Sequence, residues 1–349
     1  MKKKAYLVLA DGTVFEGYSF GAECDAIGEA VFNTSCVGYI ETLTDECYFG
    51  QIVVQTFPLI GNYGIIEEDF VGKCCLNGYV VREYCDTPSN FRCDYTLDEY
   101  LKKNGIPAIF GVDTRAVTRH IRDNGAMNAI ICSQIPEDLK VVRNYKIVKA
   151  VETLGVESKE ISAPNPRFNV TVINYGAKHN IADELVKRGC NVRLVPANTC
   201  AQQILSDNPD GIVLSDGAGD PAENTAIIDE ISKLFGKAPI LGIGLGHQLL
   251  ALSQGGKTEK LKYGHRGSSQ PVRDLEGSRT YITAQNHSYF VKNTNGDVNF
   301  INVNDKTNEG ISYKDNMALS VQFVPEVSGG PHDTSFIYDR FIKLMEEGN

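Results

Sequence analysis

The sequence predicts an α/β chain with an N-terminal α+β domain over residues 1–148, a linker over 149–168, and a domain with a mostly parallel, doubly wound sheet over 169–349. Three observations predict it. The first half reads as short strands separated by turns, with few helices. Residues 163–167, Ala-Pro-Asn-Pro-Arg, cannot form regular structure, because two prolines remove amide donors and restrict their neighbours. From residue 170 to 253, strand and helix patterns alternate at the spacing of βαβ units, which makes a parallel sheet with helices on both faces.

The elements follow in order. Tyr6–Ala10 and Thr13–Phe15 flank Asp11-Gly12 and read as a hairpin with a two-residue turn. Ala30–Phe32, Gln51–Gln55 and Gly78–Val81 are further strands. Thr96–Asn104 and Thr114–Asp123 are helices, the second capped by Asp113. In the second half the strands are Val170–Tyr175, Asn191–Pro196, Gly211–Leu214 and Pro239–Ile243. The helices between and after them are Asn180–Arg188, Ala201–Ser206, Thr225–Phe235 and Gly246–Ser253. Ligands of such sheets sit at the carboxyl ends of the strands, so the turns after Tyr175, Leu214 and Ile243 are the candidate site.

Composition narrows the function. Of 349 residues, 42% are hydrophobic and 22% charged, as in ordinary globular proteins rather than disordered ones. The 34 Lys and Arg against 44 Asp and Glu leave a net charge of −10, which argues against nucleic acid as a partner. No run reaches the ~18 apolar residues of a membrane helix, so no membrane partner is expected. The apolar run after Lys4 stops at Asp11, short of the roughly 7–15 residues of a secretory signal, so a cytoplasmic protein is expected. The ten cysteines contain no Cys-x-x-Cys and no zinc-ligand spacing, which predicts reduced, mostly buried thiols and no metal site.

The turn after Ile243 is the most informative. Gly242-x-Gly244-x-Gly246 joins strand directly to helix. A dinucleotide fingerprint needs a third glycine where His247 stands. The nucleophile elbow fits better: a small residue, the nucleophile and a glycine on a sharp strand-to-helix turn, with the amides of the helix N-terminus available to an oxyanion. The nucleophile position is then Gly244, which has no side chain. No serine replaces it in line, Ser215 lying on another turn.

Residues 242–250, Gly-Ile-Gly-Leu-Gly-His-Gln-Leu-Leu, resemble the elbow of class I glutamine amidotransferases, which reads Gly-x-Cys-x-Gly-x-Gln. Over nearly its whole length the chain resembles the small, glutamine-hydrolysing subunit of carbamoyl-phosphate synthetase. The resemblance is carried by residues 31–35, 44–45, 58–64, 88–90 and 111–115 in the first half. In the second half it is carried by residues 208–211, 264–267, 285–287 and 330–333.

The family's chemistry uses a Cys nucleophile, a His base and a Glu that orients the His. Carried over by motif, these positions are Gly244, Val324 and Glu326 here, so only the glutamate remains. The resemblance places the glutamine pocket at Cys47, Gly217, Gly219, Leu245, Gln248, Asn286, Ser288 and Tyr289. Cys47 stands where the family has Ser, and Ser288 and Tyr289 where it has Gly and Phe. On the turn of residues 215–221, Asp216 replaces Asn and Ala218 replaces Pro. His247, His287 and His332 match family histidines outside the catalytic pair.

The resemblance therefore implies a small subunit whose own glutamine hydrolysis is lost and which acts as scaffold or allosteric partner of an ammonia-using large subunit. That subunit serves arginine or pyrimidine precursor synthesis. ATP and magnesium would belong to the large subunit, leaving no cofactor in this chain. The rival expectation is a stand-alone sensor that binds glutamine or a related amide without cleaving it.

Overall fold

The computed structural model describes residues 2–155, 157–176, 180–326 and 330–348. The chain forms two compact units, Met1–Val148 with Lys262–Gly267, and Lys149–Leu261 with Ser268–Asn349.

In the first unit the strands and helices are β1 (Lys4–Leu9), β2 (Val14–Gly21), β3 (Ala26–Asn33), α1 (Tyr39–Leu43), β4 (Gln51–Gln55), β5 (Leu59–Ile60), β6 (Gly78–Val80), β7 (Glu83–Tyr84), α2 (Leu97–Lys103), β8 (Pro107–Phe110), α3 (Thr114–Asn124), β9 (Met127–Cys132) and α4 (Lys140–Arg143). Seven strands close a barrel in the order β1-β2-β8-β6-β4-β3-β9, while β5 and β7 pair separately. Closure removes the exposed sheet edge. The period-2 alternation of the strands sends Leu7, Ile52, Val54 and Ile109 to one cluster with Val117 and Ile121 of α3. It sends Val31, Val53 and Tyr79 to another with Leu97 and Leu101 of α2.

Local chemistry sets the helix starts. Thr96 and Glu99 form a reciprocal capping box on α2. The Asp113 carboxylate accepts from the Ala116 amide at 3.0 Å, as the sequence predicts. The first hairpin differs from expectation. Its loop is three residues, Ala10-Asp11-Gly12, closed by Gly12 N–H to Leu9 O and Leu9 N–H to Thr13 O, both 2.9 Å. Gly12 takes φ +96°, the left-handed residue that a three-residue loop requires.

The second unit contains α5 (Ala150–Thr153), β10 (Lys159–Ile161), β11 (Phe168–Tyr175), α6 (Asn180–Lys187), β12 (Cys190–Pro196), α7 (Ala201–Ser206), β13 (Gly211–Gly217), α8 (Thr225–Leu234), β14 (Ile240–Ile243), α9 (Leu245–Ser253), β15 (Lys257–Asp274, apart from residues 262–267), β16 (Thr280–Asn293), β17 (Asp297–Asn302), β18 (Asn308–Tyr313), β19 (Ala318–Val321) and α10 (Phe336–Gly348). Its sheet runs β10-β12-β11-β13-β14-β19-β18-β17-β15-β16. The five strands β12-β11-β13-β14-β19 are mutually parallel. Strands β18 and β17 continue from them antiparallel.

Both faces of the parallel part are covered, which is the doubly wound arrangement. Val172, Val213 and Leu241 pack with Leu185 of α6 and Phe341 of α10. Ile173, Ile212 and Leu214 pack with Leu234 of α8 and Leu249 of α9. The stretch expected to be a linker is partly built into this unit. It supplies α5, and β10 pairs antiparallel with β12 from Lys159 to Ile161. Residues 163–167 hold no regular structure. Among the described residues, no helix is long and apolar enough to cross a membrane.

Candidate functional site

The parallel strands β11, β13, β14 and β19 end side by side, and their carboxyl ends carry the residues that the sequence singles out. Ile243 pairs with Val321 and Leu214 with Gly242. The turn from β14 into α9 is a single residue, Gly244, at φ +53° and ψ −109°. Its N–H donates to Val321 O at 2.9 Å, and its carbonyl accepts from Gln248 N–H at 3.3 Å. A side chain in that left-handed backbone is strained by ~1–3 kcal/mol, and glycine avoids the penalty. The flanking glycines allow the close approach. At Gly242 an added Cβ would sit 2.9 Å from Gly246 O and 3.0 Å from Ser320 Cβ.

The β13 turn lies against this elbow. The Ser215 hydroxyl accepts from Tyr175 N–H at 2.9 Å and donates to Asp216 O at 2.8 Å. Asp216 Oδ1 accepts from Gly217 N–H at 2.8 Å and from Leu245 N–H at 3.0 Å. Gly217 has no room for a side chain, since a Cβ would meet Tyr175 O at 2.5 Å. Gly219 takes φ +98°, and a Cβ there would meet Ala150 Cβ at 3.0 Å.

Gln248, one turn into α9, is buried. Its amide nitrogen donates to Tyr289 O at 2.7 Å and to Gln322 Oε1 at 2.9 Å. Asn286, Ser288 and Tyr289 lie on β16, where His287 bonds Tyr289 O and Gln285 Oε1 through its two ring nitrogens, at 2.8 and 3.1 Å. Cys47 belongs to the first unit, in a buried turn where its N–H donates to Asp45 Oδ1 at 3.0 Å.

Val324 is buried three residues past the end of β19, and its N–H donates to Ala284 O at 3.0 Å. Glu326 is buried too. The Tyr338 hydroxyl of α10 donates to Glu326 Oε2 at 2.9 Å, and Asn180 donates to the Glu326 carbonyl at 3.2 Å. Burial, reinforced by the Glu326 charge, drives the Tyr338 phenol far above its usual range, so it stays a donor.

The neighbouring imidazole is a weak base. His247, in the first turn of α9, is fully buried with Nδ1 2.8 Å from Ser320 Oγ. Burial pushes its pKa down to about 3, so it is neutral wherever the protein is folded near neutrality. The turn thus holds neither a nucleophilic side chain at residue 244 nor an ionisable group at residue 324. The sequence flagged Asp216 as a changed residue without a role. The structure gives it one, as the hydrogen-bond acceptor of the elbow amide. Tyr338 went unnoticed, because nothing local marks the C-terminal helix as a neighbour of Glu326.

Comparison with known proteins completes the description. Residues 7–131 match the family "Carbamoyl-phosphate synthase small chain, CPSase domain". Residues 171–344 match "Glutamine amidotransferase class-I". The chain is 46% identical to the carbamoyl phosphate synthase small chain of Clostridium perfringens over 349 residues, covering 97% of this chain and 99% of that one. It is 44% identical to the small chain of Oceanobacillus iheyensis over 357 residues, covering 99% and 96%. With the pyrimidine-specific small chain of Halalkalibacterium halodurans, identity is 45% over 355 residues, covering 98% and 97%.

Proposed function

The chain belongs to the carbamoyl phosphate synthase small-chain family, and from that premise we propose that it is a small subunit whose own glutaminase centre has lost its chemistry. The observation that carries the reading is the elbow itself. Gly244, which has no side chain, is the single-residue turn at which the resemblance puts the nucleophile, and Asp216 holds the Leu245 N–H. Cleaving an amide through a thioester needs a thiolate to attack and an imidazole to protonate departing ammonia and activate water. Val324 can do neither, and Glu326 has the Tyr338 hydroxyl as a hydrogen-bond partner.

The small-chain family implies a large-subunit partner. In this reading the chain is its scaffold or allosteric partner, residues 1–148 supply the contact, and the large subunit takes free ammonia and holds ATP and magnesium. This chain needs no cofactor of its own. A stand-alone amide sensor is less well supported, because the amide nitrogen of Gln248 is committed to Tyr289 and Gln322.

The test is carbamoyl phosphate synthesis by the two co-expressed subunits. Ammonium is expected to support it and glutamine alone is not. Equal rates with both nitrogen donors would reject the reading.

A further inference from the structure

Asp216 stands at the carboxyl end of β13, 6% exposed, one strand away from the elbow. Three facts meet at its carboxyl group. Its Oδ1 accepts from Leu245 N–H at 3.0 Å, the amide that follows the nucleophile position. The same oxygen accepts from Gly217 N–H at 2.8 Å, which fixes the carboxyl plane. A Cβ built on Gly244 would overlap Asp216 Cγ and Oδ1, so the carboxyl fills the volume in which a side chain at residue 244 would begin. In a nucleophile elbow, the amide after the nucleophile is one of the two donors that stabilise the oxyanion. It also opens the nine-residue helix α9, whose dipole favours negative charge at that end.

We infer that Asp216 is an internal plug: its carboxylate occupies both the place of the absent thiol and the oxyanion position, and Gly244 and Asp216 form a reciprocal pair. The inference deepens the reading above and rests on taking this turn as a former nucleophile elbow. It has two consequences. A carbonyl oxygen cannot reach the Leu245 N–H while the carboxylate is on it. Restoring a side chain at residue 244 must first expel the carboxyl, so the two positions cannot be changed independently.

The test is a double-mutant cycle on the full-length chain with Gly244→Ala, Asp216→Gly and the combination, read by urea unfolding. Backbone strain makes Gly244→Ala costly in either background. With Asp216 in place it should cost at least about tenfold more in the folding equilibrium constant than with Asp216→Gly. A second readout needs only the single variant Asp216→Gly. Loss of its acceptor should speed hydrogen exchange at the Leu245 amide by about tenfold or more.

If Gly244→Ala folds only when combined with Asp216→Gly, the pair is confirmed. Coupling below about twofold, or unchanged exchange at Leu245, overturns the plug. Neither readout involves glutamine. Failure here would leave the missing thiol and imidazole as they are, whereas glutamine hydrolysis by the native chain would overturn the proposed function without touching the coupling.

Discussion

Acidification from pH 7 to pH 5 should weaken the second unit by an amount traceable to His247. The imidazole is fully buried beside the elbow, and burial lowers its pKa from 6.5 to about 3. Between those values the unfolded chain binds a proton that the folded chain refuses. Stability therefore rises with pH across the window, is complete above about 6.5, and is lost progressively as pH falls towards 3. Each unit inside the window is worth about 1.4 kcal/mol. From pH 7 to pH 5 the loss from this one group is ~2 kcal/mol, a large share of a typical domain's 5–15 kcal/mol.

The comparison is with His247→Asn, whose amide can keep the bond that Nδ1 makes to Ser320 Oγ but cannot titrate. Carboxylates titrate alike in both proteins, so the difference between their urea midpoints isolates the imidazole. The native chain should lose ~2 kcal/mol more than the variant over this interval. Parallel profiles would refute the reasoning. They would mean that the imidazole titrates as it does in water, and His247 would return as a candidate base at the elbow.

Other perturbations probe the remaining parts. Gly244→Cys alone should release no glutamate in steady state, because removing one member of a catalytic unit forfeits most of its rate. Adding Val324→His should give weak hydrolysis with a raised KM, and adding Asp216→Gly should increase it by clearing the carboxyl from the new thiol; steady turnover by Gly244→Cys alone would reveal an unrecognised base. Tyr338→Phe removes the hydroxyl that Glu326 accepts from in a buried setting and should cost ~1.5–3 kcal/mol in urea unfolding, while a neutral result would mean that water replaces it. Mixed with a carbamoyl phosphate synthase large subunit, the chain should co-elute from a sizing column through an interface of ~2,000 Å² or more. Separate elution at micromolar concentration would favour the stand-alone reading.

Much of this architecture was legible where the signals are local. The alternation from Val170 to Ser253 marked β11 to α9 within a few residues, because each strand is a short apolar run and each helix has a 3.6-residue stripe. Asp113 marked its helix because a cap is a side-chain bond to an amide three residues on, whereas Thr96, read as the first helical residue, is the cap of α2. What escaped depends on distant pairing. Strand β15 contains Gly264, Gly267 and Pro271, all signals against a strand, yet it extends through them over 18 residues. Strand β10 sits in a stretch whose prolines and charges suggested a linker, and its pairing with β12 is visible only in three dimensions.

The site divides in the same way. Gly244 and Val324 are legible by motif, since the resemblance alone puts the family's nucleophile and base at these two positions. The role of Asp216 could not be read, because it follows from the register that sets the end of β13 against the start of α9.

The central claim, that no glutamine chemistry survives at the elbow, is tested most directly by glutamate release. Purified chain, alone and with its large subunit, is given saturating glutamine, and glutamate is followed over time. Release at the uncatalysed background in both cases is the predicted result. Steady release at the rate of an ordinary enzyme, on the order of 10 per second, would contradict it.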